Sequence, residues 1–419
     1  MKEFMISKSP FKDNSESPNV FIAGGNGPYE NTLAALKNID LTSAAGKSVL
    51  LKPNVGRIAE PCSGICTHPM VVAAAIDAFR EVGADVSVGE SPISGVKTME
   101  AFESTGIKKI ADERNCPLID MDEGKPIVIS VPEGQAIKSL KICPNIPEFD
   151  IIVSIPVMKM HMHTVVTLAV KNMKGCLWRR SKVTLHMLPP LTDETTGKPA
   201  SIKPLDVAIS DLSKVLKPHL SIIDGTIGLQ GIGPSAGEKK ELGVIAVAVD
   251  SFAADAVACE IMGISASEVP HLSFASERGY GVIDMDKINV FPEDWKKWIS
   301  PFERPPTDFS KAFPDVNIMD VNSCSACQST LLLFLKRYQA ELKEYLPGDT
   351  NIAIGAGHDD IPPGTLCVGN CIKKEFRTKG IFIAGCPPVG SEILSAVIGE
   401  PSVDTQDGHS TKTDDSDDD

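Results

Sequence analysis

Five short apolar runs, each followed closely by polar or charged side chains, constrain the fold of this chain most strongly. They lie at residues 49–51, 85–88, 151–155, 219–223 and 244–249. Short runs of this kind are typical of buried strands. Apolar residues recur at helical spacing between residues 71 and 79, which predicts a strand–helix–strand crossover between parallel strands. The chain is therefore predicted to have an α/β fold, with a mainly parallel sheet flanked by helices.

The polar residues that follow these runs are expected to lie together. They are Lys52 and Asn54, Glu90 and Ser91, Lys159 and His161, Asp224, and Asp250. Parallel strands end at the same edge of a sheet, and open α/β sheets bind ligands outside that edge, so one shared crevice is predicted. The five glycines of residues 225–237 add backbone suited to close approach to a ligand.

The stretch after the third run concentrates basic side chains in an acidic protein. Beyond Pro156 come Lys159, His161, His163, Lys171, Asn172 and Lys174. Such a cluster favours a ligand with a carboxylate or phosphate group. The alternatives are a solvated loop with one buried histidine, or a metal held by His161 and His163 on one face of a strand.

Roles for these residues follow from their chemistry. His161 is predicted to transfer protons because its unperturbed pKa lies near neutrality, with Lys159 at its side and Glu90 to orient the group. The residues predicted to bind the substrate are Lys52, Asn54, His68, Ser91, His163, Lys171, Asn172, Lys174 and Asp224. A proline-rich excursion at residues 185–204 is a candidate lid.

Cysteine spacing points to a metal centre late in the chain. The candidate ligands are a C-x-x-C pair and two thiols in predicted glycine turns: Cys324, Cys327, Cys371 and Cys386. Four thiolates hold an iron–sulfur cluster or zinc, so a [4Fe–4S] cluster is predicted, with zinc or no metal as alternatives. Cys367 is a candidate replacement for one ligand, and Cys62 and Cys66 are candidate extra ligands. The Gly-Cys-Pro-Pro sequence at residues 385–388 resembles the cluster-binding turn in small subunits of respiratory complex I and nickel–iron hydrogenases.

The charge and hydropathy of the chain exclude several classes of protein. The net charge is −14, and residues 404–419 hold seven Asp and one Lys, which leaves −14 + 6 = −8 for the rest. Nucleic acid is not an expected partner, because the basic residues of this acidic chain form one small cluster and no extended basic surface. No apolar run reaches the roughly 18 residues that span a bilayer, and no signal peptide is recognisable, so a cytoplasmic protein away from the membrane is predicted. Eleven cysteines there do not suggest a disulfide framework.

Composition divides the chain into five parts. An N-terminal extension at 1–45 precedes an α/β core at 46–290, and a linker or peripheral excursion at 291–320 leads to a smaller cysteine-bearing α/β module at 321–400. The acidic tail at 401–419 is predicted to be disordered.

Short motifs in a fixed order resemble a known family. They are Lys52-Pro53-Asn54, Thr67-His68-Pro69, Gly89-Glu90-Ser91, Pro156 to His161, Lys171 to Gly175, Asp224-Gly225, and Asp250 followed by Ala254-Asp255-Ala256-Val257. Together they are similar to the uncharacterised prokaryotic family catalogued as domain of unknown function 362. Many members of that family carry a ferredoxin-type cluster domain, so the resemblance implies iron–sulfur association. This chain departs from the ferredoxin pattern, because its cysteines are dispersed.

Three functions are consistent with these features. The first is a redox protein in which the cluster passes electrons, received from a donor protein, to a small anionic substrate in the basic crevice. The second is a non-redox assembly or delivery factor whose cysteines hold zinc or a nascent cluster. The third is a metal-dependent hydrolase or ligase that uses Asp224, Asp250 and Asp255, although no nucleotide-binding loop accompanies them.

Overall fold

A computed structural model describes residues 3–14, 16–192, 200, 202–306, 313–314, 316–345 and 350–399, without the side chains of residues 339–341 and 343. The chain divides into two compact units, Met1–Thr307 and Asp308–Asp419. The acidic tail at 401–419 and most of the candidate lid beyond residue 192 lie outside the described residues. No helix in the described ranges is long and apolar enough to cross a membrane.

The first unit is built on one large sheet. Its strands are β1 Asn19–Gly24, β2 Ser48–Pro53, β3 Asp85–Glu90, β4 Leu118–Asp120, β7 Ile151–Ile155, β8 Val157–His161, β9 Val165–Thr167, β10 Leu220–Gln230, β11 Glu238–Ala248 and β12 Asn289–Phe291; β5 Ile127–Ser130 and β6 Ser139–Ile142 form a separate ribbon. The order is β12-β1-β11-β10-β7-β2-β3-β4, and β8 pairs with β10 and β9. Strand β1 comes from the predicted N-terminal extension.

Helices cover both faces of this sheet. They are α1 Pro28–Leu36, α2 Pro69–Glu81, α3 Thr98–Ser104, α4 Ile107–Glu113, α5 Ala169–Asn172, α6 Ser181–Thr184, α7 Pro204–Val215, α8 Ser251–Ile261 and α9 Pro270–Glu277. Alternate strand residues serve the two faces: Leu50 and Ile152 pack in the core with α7 and α8, whereas Leu51 and Val153 pack with α1 and α2. This two-sided burial explains the continuous apolar runs in the sequence.

The direction of pairing confirms a mainly parallel α/β fold. β2, β3, β4, β7 and β10 all pair in parallel, so their carboxyl ends share one edge. β11 is antiparallel to β10, and Ala248 pairs with Ser221 near the start of β10. Asp250 therefore lies at the opposite edge, where it caps α8 and lies 2.9 Å from the Lys217 ammonium. The prediction that Asp250 joins the crevice was wrong.

The glycine-rich segment has a structural role. Residues 225–237 belong to the β10–β11 hairpin and its turn, and a Cβ on Gly233 would clash with the carbonyl of Met160 on the adjacent strand. Gly233 thus allows close approach of neighbouring backbone, and the predicted ligand contact of this segment stays a prediction.

The second unit is a smaller α/β module. Strands β13 Val316–Asp320, β14 Thr350–Ile354, β15 Leu366–Val368 and β16 Ile381–Ile383 pair in parallel in that order. Its helices are α10 Ser325–Tyr345, which contains a kink at Tyr338, α11 Lys374–Arg377 and α12 Gly390–Ile398. Strand β13 begins inside the predicted linker.

Candidate functional site

A buried ion pair joins the carboxyl ends of β2 and β3. The Lys52 ammonium lies 2.8 Å from Oε1 of Glu90, and neither side chain is more than 2% exposed. The Val55 amide donates to the other Glu90 carboxylate oxygen at 3.0 Å. The Lys52 ammonium also donates to the side-chain oxygen of Asn172 on α5 at 3.4 Å. Additional hydrogen bonds of this kind are what a buried ion pair needs to offset lost hydration.

Gly175 packs directly against this ion pair. A Cβ at this position would lie 2.6 Å from Oε1 of Glu90 and closer still to the Lys52 ammonium. Both groups are buried and cannot retreat into solvent. The glycine of the Lys171 to Gly175 motif is therefore required by close packing.

Substituting Gly175 by Ala is expected to lower the free energy of unfolding by about 1–3 kcal/mol, because the methyl group must displace a buried ion pair. Urea unfolding followed by circular dichroism measures the change. Gly56→Ala is a matched control, since a Cβ on Gly56 meets no atom within 4 Å. Equal stability of the two variants would rule out the packing explanation.

Lys159 lies next to the pair and has no carboxylate partner among the described residues. Its ammonium donates to Oδ1 of Asn54 at 2.7 Å and to the Ile65 carbonyl oxygen at 2.8 Å. Asn54 is held in turn by Asn172, to whose oxygen it donates at 3.1 Å. Burial lowers the pKa of Lys159 to about 8. Neutral oxygens thus orient this cation without neutralising its charge.

Two further lysines extend the cationic surface. The Lys171 ammonium donates to the Thr167 hydroxyl at 3.3 Å, and the Lys174 ammonium contacts Nε2 of His186. Neither forms an ion pair with a carboxylate in the described ranges. Burial holds the pKa of Lys171 well below its usual range, and Asp206 only partly opposes this effect. The pKa of Lys174 is lowered to about 7 by burial and by the charge of Lys182.

Three imidazoles border these lysines. The ring centroids of His161 and His163 are 5.7 Å apart, and those of His163 and His186 are 6.3 Å apart. Nδ1 of His161 accepts a hydrogen bond from the His163 amide at 3.1 Å, so its proton resides on Nε2 when the ring is neutral. Burial and nearby cations hold the pKa of His161 well below its usual range. His161 is thus a neutral ring that presents an N–H donor.

The three predicted hydrolytic carboxylates do not assemble. Asp255 is buried on α8 and accepts the Ala169 and Val170 amides at 2.7 and 2.9 Å, so it fixes the start of the helix that carries Lys171. Burial raises the pKa of Asp255 to about 8. Asp250 lies at the other edge of the sheet, as described above.

His68 and Asp224 lie at the crevice, but their side chains accept hydrogen bonds from backbone amides. The Asp224 carboxylate accepts the amides of His68 and Thr226 at 2.7 and 2.9 Å. Nδ1 of His68 accepts the Met70 amide and thereby caps α2. The Thr67 hydroxyl donates to the carbonyl oxygen of Ile155 on β7.

Ser91 belongs to a polar network that the sequence did not reveal. Its hydroxyl donates to Asp122 at 2.6 Å and contacts the Lys182 ammonium, which lies 3.5 Å from the same carboxylate. Lys182 and His186 follow Lys174 by only 8 and 12 residues. Their closeness to the basic stretch in sequence is a signal that could have identified them as site residues. No local signal marks Asp122.

The residues of this crevice lie in a part of the chain that matches a known protein family. Residues 49–260 match the family described as Domain of unknown function (DUF362). The chain belongs to this family. The matched range includes all the crevice residues described above, from Lys52 to Asp224.

Two known proteins are similar to this member of the DUF362 family. The thylakoid-associated protein sll1697 of Synechocystis sp. (strain ATCC 27184 / PCC 6803 / Kazusa) is 28% identical over 233 residues, which are 56% of this chain and 68% of that protein. The lactate racemase apoprotein from Thermoanaerobacterium thermosaccharolyticum aligns with a TM-score of 0.40 and 12% identity, over 84% of this chain and 73% of that one.

The four candidate metal ligands lie outside the family match, in the second unit. Cys324 precedes α10, and its thiol is hydrogen-bonded to that of Cys327, which lowers the pKa of Cys324 to about 5. The pKa of Cys327 is raised mainly by this hydrogen bond and by burial, with smaller contributions from the charges of Cys371 and Cys386. A Cβ on Gly369 would lie 3.3 Å from Sγ of Cys327 and 3.8 Å from the Gly385 carbonyl oxygen, so the loops of Cys371 and Cys386 lie close to Cys327. No three His, Cys, Asp or Glu side chains in the described residues are positioned to hold a metal ion. A shared ligand would therefore have to draw these thiols together.

The other candidate cysteines differ in their surroundings. Cys367 is buried inside β15, and its thiol donates to the Thr365 and Phe376 carbonyl oxygens, so it faces the core. Cys66 is buried beside Lys159, and Cys62 is partly exposed in the same loop.

Proposed function

We propose that this protein is an iron–sulfur redox protein that binds a small anionic substrate in the crevice at the carboxyl ends of β2, β3 and β8. One observation carries the substrate half: Lys159, Lys171 and Lys174 converge without a carboxylate partner in the described residues. Cations removed from water are costly unless they are paired. A bound anion would supply the missing partner.

The crevice residues divide into anchoring and binding groups in this proposal. The Lys52 ammonium is paired with Glu90 and donates a hydrogen bond to Asn172. These three residues therefore form the floor of the crevice and do not contact substrate. Lys159, Lys171 and Lys174 hold the anionic group. His161 gives a hydrogen bond to the substrate as a neutral N–H donor, because its lowered pKa does not fit the predicted proton transfer near neutral pH.

Anion affinity is expected to fall as the pH rises from 6.5 to 9. The pKa values of Lys174 and Lys159 lie at about 7 and about 8, so both ammonium groups lose their charge in this range. Each proton taken up on binding makes affinity fall by about tenfold per pH unit above that pKa. Calorimetric titration with sulfate, whose charge is constant over this range, tests the prediction. Affinity independent of pH would contradict a role for these lysines.

The redox half rests on the convergence of four thiols. Cys324, Cys327, Cys371 and Cys386 match the number and chemistry of ligands that a [4Fe–4S] cluster takes, and such a cluster supplies one-electron transfer when bound. Cys324, Cys371 and Cys386 follow the strands β13, β15 and β16, respectively. Because these strands run parallel in one sheet, the loops that carry the cysteines lie at one edge of the smaller sheet. An electron-donor protein is the partner that this role requires.

Iron content tests the redox half. Protein purified anaerobically is expected to contain about four iron atoms per chain and to be coloured. Cys324→Ser is expected to lose the iron, whereas Cys367→Ala, which changes a core thiol of the same unit, is expected to keep it. A colourless wild-type protein without iron after reconstitution would disprove the proposal. Bound zinc, or a cluster that transfers readily to an apo-acceptor, would instead indicate an assembly factor.

We also propose that the protein resides in the cytoplasm. The proposal is supported by its eleven cysteines, all at described positions and all free thiols, as expected in a reducing compartment. Alkylation of thiols in intact cells before lysis tests this, and recovery of disulfide-linked protein would argue against it.

A further inference from the structure

Arg57 is a cation at the crevice that the sequence did not single out. It is partly exposed, and within the described ranges its guanidinium has no hydrogen-bond or carboxylate partner. Its carbonyl oxygen accepts the Cys66 thiol at 3.6 Å, which places Arg57 beside residues 62–66 of the same loop. A guanidinium without a partner is available to a ligand.

The loop that carries Arg57 lies beside Lys159. Lys159 donates to the carbonyl oxygen of Ile65, the residue before Cys66, and Cys66 in turn contacts Arg57. The charge of Arg57 helps to lower the pKa of Lys159. Arg57 and Lys159 are therefore cations on adjacent segments, and they are referred to as the outer pair.

A second positive group lies beyond Lys159 along the strands. Lys159 pairs with Thr167 in the β8–β9 ladder, and the Thr167 hydroxyl accepts a hydrogen bond from the Lys171 ammonium. Lys174 contacts His186 and lies three residues after Lys171. Together with burial, the charge of Lys174 lowers the pKa of Lys171. Lys171 and Lys174 form the inner pair, and Lys159 connects the two pairs.

We propose that the ligand is a small molecule with two anionic groups, a carboxylate held by Arg57 and Lys159 and a phosphate held by Lys171 and Lys174. This inference rests on the proposed anion-binding function and names its substrate class. A planar guanidinium matches a carboxylate, whereas ammonium groups bind phosphate as point charges. A phosphate monoester carries a charge of about −1.5 to −2 at neutral pH, which suits two lysines better than one carboxylate does.

Calorimetric titration of the full chain at pH 7 tests the two-group ligand. The probes are methyl phosphate, which has one anionic group, and 2-phosphoglycolate and 3-phosphoglycerate, which have two. At least one two-group probe is expected to bind wild-type protein about tenfold more tightly than methyl phosphate, through the added charge-assisted hydrogen bonds. Arg57→Gln is expected to remove this gain and to weaken the binding of methyl phosphate much less than that of the two-group probes. Lys109→Gln, at an exposed position on α4, should alter neither affinity.

The outcomes separate this inference from the proposed function. Methyl phosphate bound as tightly as both two-group probes would overturn the two-group ligand alone. An Arg57→Gln variant that weakens all three probes equally would also overturn it. If none of the three anions binds wild-type protein, the anion-binding function itself is wrong, and the two-group ligand falls with it.

Discussion

Substituting Lys52 by Met is expected to lower the free energy of unfolding by about 3–5 kcal/mol, because a buried carboxylate is left without its counter-ion. Glu90 is 2% exposed, and the Lys52 ammonium is its only ion-pair partner among the described residues. Water cannot replace the lost charge in so closed a site. Met preserves most of the volume of the lysine stem, so the loss reports on charge more than on packing.

Urea unfolding of the single and double variants measures this effect. Glu90→Gln in the Lys52→Met background removes the unpaired charge and retains an acceptor for the Val55 amide. The double variant is expected to recover about 2 kcal/mol or more of the loss. A single variant that loses less than about 1 kcal/mol would contradict the buried-pair account.

Substituting Lys159 by Met should have the opposite effect on the protein without ligand. At pH 7 the free energy of unfolding is expected to rise by about 1–3 kcal/mol. The substitution removes the cost of burying a charged lysine, and the loss of two hydrogen bonds offsets part of that gain. The pKa of this lysine is about 8 in the folded protein, below its ordinary 10.5. The protonated form therefore destabilises the fold fully below pH 8, and this cost disappears as the pH rises through 10.5.

Unfolding at pH 7 and pH 10.5 tests that sign. The stabilisation by Lys159→Met is expected at pH 7 and should be absent or reversed at pH 10.5. Lys109→Met, at an exposed position, is a control that should change stability by less than about 0.5 kcal/mol. A Lys159→Met variant less stable than wild type at pH 7 would mean that Lys159 is retained for structure. Greater stability together with lost anion binding is the expected signature of a site that function, not folding, maintains.

Much of the crevice could be predicted because it depends on strand ends. Lys52, Glu90 and Asn54 each follow an apolar run, and parallel pairing brings such positions to one edge whatever the details of the loops. Asp250 follows a similar run and was misplaced, because the direction of β11 depends on its hairpin with β10 and not on its own residues.

The residues that the sequence did not reveal depend on long-range contacts. Arg57 becomes relevant only because its loop returns to Lys159, about a hundred residues later in the chain. Asp122 joins Ser91 and Lys182 through three separate segments. The capping role of His68 depends on a side-chain rotamer that spacing cannot specify.

Calorimetric titration of inorganic phosphate at pH 7 tests the central claim, that unpaired lysines make this crevice an anion site. Wild-type protein and Lys109→Met are expected to bind phosphate alike. Lys171→Met is expected to bind at least about tenfold more weakly, because it removes one charge-assisted contact from a dry site. Wild-type protein that binds no phosphate, or a Lys171→Met variant that binds as tightly as wild type, would contradict the claim.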